Sequence, residues 1–569
     1  MRRLLFTISA LLFAVTAVAQ VEKEVEVTKQ YVPKLPPARK MDMVPDMVDT
    51  VAIRPEIDYT IVPKSFASAL STEKFRPAKV TYWEYTKSYP FYIKAGVGYP
   101  LVSEVDAYAS TNRADVGYFS AYVNHRGRFG NIDTQNPITG EQFIGSNAQQ
   151  MSNRIGITGG KYFGRYTLSG DIYYDSNSYR RYAQNVVEED EQALDAIDFE
   201  DVALAVNFGD SFADLSKLNF ALSLSADYYN DKSEQIVIAD MDRKIQQFDV
   251  AAALKLGRNI GQHARLYGAV EYQGYYGFKY AGGYSDNIIS CAADFEYDAI
   301  KAFDLKVGLK YSYDKVQPHK VRHHILPSLY MGFNVAEKDI FVPYVEVDSR
   351  VDNNSYRALQ QANPYILLRD EQFESVPNTT TYNLRAGFAG HTLNKKFSYR
   401  LYANAAFMTN ALYWYNVENI GFSYLADKLG VYSLNASLEY KPLSSLLLGA
   451  GAKGMIYNNP TDIECGKPFF EGYFNIRYTH QKFAVGASAD LIGSRSWTIV
   501  TAATEEQEAQ MASYKYPLCV DLGLTFDWFV AKQCTVYLEG RNLGNAKIYD
   551  WALYRRFGVG ALVGIKVQF

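Results

Sequence analysis

From about residue 91 onward, apolar and polar positions alternate with period two. Phe303, Leu305, Val307, Leu309, Tyr311 and Tyr313 interleave with Asp304, Lys306, Gly308, Lys310, Ser312 and Asp314. On a pleated strand these sets fall on opposite faces, one suited to lipid and one to water. The alternation recurs over 218–228, over 518–528 and over 557–569, where Phe557, Val559, Ala561, Val563, Ile565, Val567 and Phe569 share a face. A half-buried sheet in a soluble sandwich alternates too, so the connections decide. Those at 163–165, 298–302, 336–339, 393–396, 442–445, 479–482 and 530–533 are tight, whereas those at 130–150, 176–198, 231–243, 353–378, 493–513 and 544–556 are long. Short and long connections exchange along the chain, as when every second hairpin faces the periplasm and the others face outside. The pattern predicts an all-β fold, a transmembrane antiparallel β-barrel of about 22 strands within a range of about 18 to 24. Its first strand starts near Phe91 and its last ends at Phe569.

The N-terminus supplies the export route. Arg2 and Arg3, the apolar stretch 4–18 and the small residues Ala17, Val18 and Ala19 form a signal peptide over 1–19, with cleavage before Gln20. Later in the chain no apolar run is long enough to cross a bilayer as a helix, so any span is made of strands. Residues 20–88 differ from the rest, holding seven of the nineteen prolines, at 33, 36, 37, 45, 55, 63 and 77. That spacing breaks helices and central strands and predicts an extended periplasmic or lumenal segment, or equally a disordered linker, ahead of a barrel over 89–569.

Composition fits this placement in the outer membrane. The 47 Tyr, 32 Phe and 39 Gly suit strands and aromatic girdles, and a net charge of −4 argues against a nucleic-acid partner. Cys291, Cys465, Cys519 and Cys534 are scattered without metal-ligand spacing and are expected to be free thiols. His319, His323 and His324 cluster on the side of the longer loops, where solvated loop histidines are the better reading than a metal site. Glu188, Glu189, Asp190 and Glu191, with Asp195, Asp198, Glu200 and Asp201, read as a soluble, self-repelling loop. Residues 355–362 read as a short helix with Ser355 as N-cap, and the apolar run Tyr365, Ile366, Leu367 and Leu368 after it needs cover from its own loops or from a partner. No nucleophile elbow, phosphate loop, dinucleotide fingerprint or zinc-protease motif occurs; no catalytic residue, metal or cofactor is assigned, and an enzyme is not expected.

The last third of the chain carries a family resemblance. Tyr415, Asn416, Val417, Glu418, Asn419, Ile420 and Gly421 lead to Gly430, then to Leu434, Ala436, Leu438 and Tyr440, and to a turn at Lys441, Pro442 and Leu443. Near the end come Gly540, Arg541, Asn542, Leu543, Gly544 and Asn545, then Ile548, Tyr549, Asp550 and Trp551. These stretches, about 160 residues in all, resemble the barrel of TonB-dependent receptors. The resemblance implies solute uptake across the outer membrane, a TonB partner or another envelope protein, and an N-terminal plug. A complete plug does not fit in the roughly 70 residues before the first strand. Glu24, Val25, Glu26, Val27 and Thr28 faintly resemble the box that engages TonB.

A barrel this wide needs something in its lumen, because open channels already appear at about 16 to 18 strands. The expected lumen-facing set is Lys94, Asp304, Lys306, Lys310, Asp521, Asp527, Glu539, Arg541 and Lys566. Carrying both signs, it suits a polar filling, and the segment before the first strand is the expected one, with external loops such as 353–378 as the alternative seal. Expected partners are outer-membrane lipid and lipopolysaccharide, and the barrel-assembly machinery, which the closing aromatic Phe569 would address. Two functions fit: uptake, or a non-transporting barrel that scaffolds envelope proteins. Val307→Arg is expected to impair insertion by about 2 to 4 kcal/mol, with Gly308→Ser far milder.

Overall fold

The structure, a computed structural model, describes residues 89–113, 116–135, 142–182, 196–233, 245–278, 284–300, 302–335, 339–367, 376–417, 421–501 and 510–569. The signal peptide 1–19, the proline-rich segment 20–88 with Glu24 to Thr28, the acidic residues 188–191 and 195, and Leu368 lie outside the described residues.

Twenty-two antiparallel strands close into one ring. The first is Phe91–Tyr99; nineteen follow one another in chain order as far as Phe483–Ile492, and Cys519–Ala531, Cys534–Arg541 and Gly560–Gln568 complete the circle. The last strand pairs back on the first, from Tyr92↔Gln568 to Tyr99↔Ala561. Phe569 finishes the closure: its backbone exchanges two 3.0 Å hydrogen bonds with Phe91, and the two rings stack at 5.3 Å. Closure gives every strand of the ring a neighbour on both sides, which is what a bilayer demands of strands.

Alternation translates into two faces. Val307, Leu309 and Tyr311 are exposed on the outer face of Phe303–Val316, as are Leu522, Leu524, Phe526 and Trp528 on Cys519–Ala531, while Gly308, Ser312 and Asp314 on the other face are buried. The outer face is therefore the apolar one in contact with lipid. A Cβ on Gly308 would displace the ends of the Asp294 and Ser328 side chains, so Lys306→Gln is a cleaner control for Val307→Arg than Gly308→Ser. Phe557 also departs from expectation. It lies outside the final strand and is buried among aromatic residues instead of facing lipid.

The connections keep the expected sidedness but not all their lengths. Gly117–Gln135 and Gln142–Phe163 reduce the long connection at 130–150 to residues 136–141, and Tyr166–Arg180 and Ala196–Asp210 likewise continue into the next one. Above the membrane both faces of a strand meet water or loops, so the period-two signal fades while the backbone ladder goes on. One junction in the wall is different. Arg322–Phe333 and Val342–Asp352 are paired only from Leu329↔Val347 to Gly332↔Tyr344, four residue pairs, whereas every other neighbouring pair in the ring shares seven or more.

Candidate functional site

The extracellular mouth is filled by the chain's own loops. The connection between the thirteenth strand, Val342–Asp352, and the fourteenth, Thr379–His391, carries the helix Tyr356–Ala362, called α1 here. Ser355 caps it, accepting from the Ala358 N–H, as the sequence predicts. Tyr365, Ile366 and Leu367 follow and are buried. Two hairpins, Arg495–Thr501 with Gln510–Tyr516 and Tyr549–Trp551 with Tyr554–Arg555, fold in beside them.

Together these segments make a continuous apolar cluster that includes Ile197, Tyr229, Tyr356, Tyr365, Trp414, Phe422, Trp497, Tyr549, Tyr554 and Phe557. Ala148 of the fourth strand and Trp414 of the fifteenth both belong to it. Those strands stand eleven places apart in a ring of 22, on opposite sides of the barrel, so the cluster crosses the mouth. Tyr365 stacks on Tyr554 at 3.7 Å, and the lid is stitched to the sixteenth strand by Leu367 N–H to Phe422 O at 2.8 Å and Phe422 N–H to Tyr365 O at 2.9 Å. Gly421 makes that approach possible, since a Cβ there would lie 2.6 Å from the Tyr365 carbonyl oxygen.

Beneath the apolar layer the lid is held by charge. Strands five to eight each contribute an aspartate to one inner arc, Asp175, Asp201, Asp227 and Asp249, with Asp175↔Asp201 and Asp227↔Asp249 directly opposed. Tyr275 continues the row on the ninth strand, then Asp286 and Asp314 on the tenth and eleventh. Like charges directly across a ladder repel, so the arc needs cations or donors. Arg154 takes Asp175 with two bonds of 2.6 and 2.5 Å. Arg357 of α1 reaches Asp201 at 2.8 Å, Asp249 at 3.0 Å and Asp227 at 3.6 Å. Burial alone would lower the Arg357 pKa, and the three carboxylates more than reverse this, so the guanidinium stays charged. Asn378, at the other root of the lid, donates to Asp286 at 3.1 Å and to Asp314 at 2.8 Å. Asn410, left-handed at the bulge in the fifteenth strand, holds the Asn378 carbonyl at 3.0 Å. A cavity of about 250 Å³ remains between α1 and the wall, lined by Asp227, Asp249, Gln273, Tyr275, Arg357 and Gln361.

The residues expected to face the lumen separate into groups. Lys94 pairs with Glu104 at 2.6 Å, Lys566 with Asp527 at 2.7 Å, and Glu539 with Arg541 at 2.6 Å, all on the strands around the closure. Lys94 and Lys566 flank the Tyr537 ring at 5.1 and 5.0 Å from its centroid. Asp521 stands higher, 3.6 Å from Arg556. Asp304, Lys306 and Lys310 are on the eleventh strand, where Lys306 pairs with Glu296 at 2.8 Å and Lys310 with Glu271.

Two loop readings are corrected. His323 and His324 belong to the strand Arg322–Phe333 and point apart: His323 bonds Tyr311 on the outer face, and His324 meets Asp314 inside at 3.3 Å. Asp198, Glu200 and Asp201 are on the strand Ala196–Asp210, where Asp201 anchors the lid and Glu200 meets Lys232 at 2.8 Å. Sequence reasoning missed Arg357, Asn378 and both hairpins. The available signal was aromatic density in stretches read as loop, at Trp497, Tyr549, Trp551 and Tyr554.

No protein-family model and no curated protein sequence matches this chain. In structure it is similar to the FrpB iron transporter of Neisseria meningitidis, with a TM-score of 0.65 and 11% identity over 85% of this chain and 82% of that one. It is also similar to the siderophore receptor PirA of Acinetobacter baumannii, with a TM-score of 0.62 and 10% identity over 84% and 80%. The barrel has the TonB-dependent receptor fold. A third structure of that kind, the ferric enterobactin receptor PfeA of Pseudomonas aeruginosa, gives a TM-score of 0.64 and 10% identity over 84% and 81%. The neighbours are named as transporters and receptors, and what they share with this chain is the closed barrel.

Proposed function

We propose that this protein takes up a small hydrophilic solute across the outer membrane, and that the lid over 353–378 is the gate. The observation that carries the reading is the manner of closure. The mouth is stoppered from outside by an apolar layer, yet polar contacts tie that layer to the wall, chief among them one arginine and one asparagine set against five wall aspartates. A contact of this kind can be exchanged for water or for a solute, whereas a packed core cannot. The neighbours' cargoes, iron and a siderophore among them, are their own. For this chain the acidic arc favours a cationic or neutral solute over an anionic one. A TonB-type partner in the envelope would supply the energy, through a segment such as 24–28.

The experiment is uptake in cells lacking the protein, measured with one limiting nutrient at a time. Complementation uses the natural chain or a locked one, in which the pair Ile366→Cys and Phe422→Cys, backbone partners where the lid meets the sixteenth strand, is oxidised to a disulfide in a background freed of the four native cysteines. A defect rescued by the natural chain and by the reduced pair, but not by the oxidised pair, supports gated uptake. Normal uptake of every nutrient, together with stoichiometric copurification of other envelope proteins, would make the scaffold reading the correct one.

A further inference from the structure

The junction between the twelfth strand, Arg322–Phe333, and the thirteenth, Val342–Asp352, is paired only in its periplasmic half. On their far sides the same two strands are paired along their length, from Phe303↔Phe333 to Asp314↔Arg322 and from Val342↔Ala389 to Asp352↔Thr379. The break is therefore local to one seam. Continuing the register upward sets Pro327 opposite Ser349 and Ile325 opposite Val351, but no ladder forms there. Pro327 offers no N–H and belongs on an edge or at a bulge, here inside a closed wall. Hydroxyl groups on the lipid-facing side replace the missing bonds: Ser349 donates to the Pro327 carbonyl at 2.6 Å and Tyr382 to the Ile325 carbonyl at 3.2 Å. Side-chain bonds of this kind cap two carbonyls against the bilayer without joining the backbones.

The rim above the seam is cationic. Lys315, His319 and Lys320 are exposed around the turn from the eleventh strand to the twelfth, and Lys315 and Lys320 form no ion pair among the described residues. The nearby carboxylates Asp314, Asp348 and Asp352 are on the opposite face, where they serve His324 and Arg350. Below the lysines, Tyr311, Tyr313 and His323 pack ring on ring, as at a membrane interface.

We propose that this half-paired seam is a lateral docking port for a phosphorylated lipid of the outer leaflet, whose phosphates sit on Lys315 and Lys320 and whose body wedges beside Ile325 and Ser349. Charge selects the lipid, since free lysines at headgroup depth attract phosphate and not a neutral headgroup. The missing ladder selects the place, because elsewhere in the wall a wedge would have to break backbone bonds. The inference goes beyond uptake and stands whether or not a solute crosses the lumen.

The test uses the full-length protein with a photo-crosslinking amino acid at Ile325 or, as control, at the equally lipid-facing Leu309. It is reconstituted in phosphatidylcholine vesicles containing either bis-phosphorylated lipid A or its dephosphorylated form, and adducts are read by intact mass. The expected result is several-fold more lipid A adduct at Ile325 than at Leu309, lost with dephosphorylated lipid A and with Lys315→Glu plus Lys320→Glu. A Pro327→Cys, Ser349→Cys pair in a background free of the four native cysteines should remove the adduct when oxidised and restore it when reduced. Heat-modifiable gel mobility confirms that each variant is folded. Equal adducts at Ile325 and Leu309, indifference to the phosphates, or an adduct unchanged by the disulfide would each overturn the proposal.

Discussion

Two stretches of the inner wall solve the same electrostatic problem differently. Around the closure, each charged side chain has a partner of opposite sign within the wall, Lys94 with Glu104, Lys566 with Asp527 and Arg541 with Glu539. Across strands five to eleven the wall is acidic, and much of what meets its carboxylates comes from the lid, a positive charge from Arg357 and hydrogen bonds from Asn378. The first region is complete without loops. The second is complete only while the lid is down, which makes the lid a working part of the wall and ties its position to charge as well as to apolar burial.

Removing the lid gives the largest effect. Replacing residues 354–377 by a short glycine-serine linker takes away α1 and the apolar run while leaving every strand intact. The barrel is expected to fold, shown by heat-modifiable mobility, and to conduct in planar bilayers where the natural chain is closed, with cations preferred over anions because the uncovered arc is acidic. Cells carrying it should become sensitive to large antibiotics. A closed truncated barrel would mean that the remaining hairpins, or the segment before the first strand, suffice as the seal.

Next comes Arg357→Ala, which strands Asp201, Asp227 and Asp249 together without their cation. Breaking a buried pair by deleting one partner costs about 3 to 5 kcal/mol, and here the cost falls on lid docking and not on the barrel. Limited proteolysis should cut within 353–378 in the variant and spare the natural chain. Asp201→Asn should do less, since Asp249 and Asp227 still hold the guanidinium.

The wall was legible from sequence because the bilayer imposes one rule on every strand it touches. Strand number, the first and last strands and the sidedness of the turns all follow from period-two alternation. Legibility stops where lipid stops. Phe557 continues the alternation of the last strand two steps beyond its start, yet it packs into the lid instead of facing lipid. Asp201 sits in an acid-rich stretch that reads as a solvated loop, and only the fold reveals that its strand extends upward to meet an arginine 156 positions later in the chain, 2.8 Å away. Ser355 capping α1 was readable because capping is local; what α1 docks against was not, because the partner strands are distant in sequence.

A subtler way to lift the lid is steric. Gly421→Val would press a branched side chain against the Tyr365 carbonyl and the Leu367 side chain, where even a Cβ is too close. Overpacking of this sort costs about 1 to 3 kcal/mol. The expected outcome is intermediate proteolysis of the lid and brief, flickering conductance, with an unchanged barrel. Gly421 lies in the stretch that resembles the TonB-dependent receptor barrel, so the test also asks whether its glycine serves the strand or the lid. An effect on barrel assembly instead of on the lid would assign it to the strand.

The smallest effect is expected on the other side of the comparison, at Lys566→Met. Lys566 bonds Asp527 at 2.7 Å, and its side chain keeps 26% of its surface exposed. Deleting it does not leave Asp527 alone, because Arg477 stands 3.7 Å from the same carboxylate. Tyr537 also keeps its second cation, Lys94, at 5.1 Å. With a partner in reserve and water at hand, the loss should be about 1 kcal/mol or less, seen as a small shift in urea unfolding of the reconstituted barrel and as no change in conductance or lid proteolysis. Two lysines and an arginine share the work here, whereas Arg357 stands alone before three aspartates. If Lys566→Met opened the lid or matched Arg357→Ala in cost, the closure region would depend on its cations as the acidic arc does, and the distinction between a self-sufficient wall and a lid-dependent one would fail.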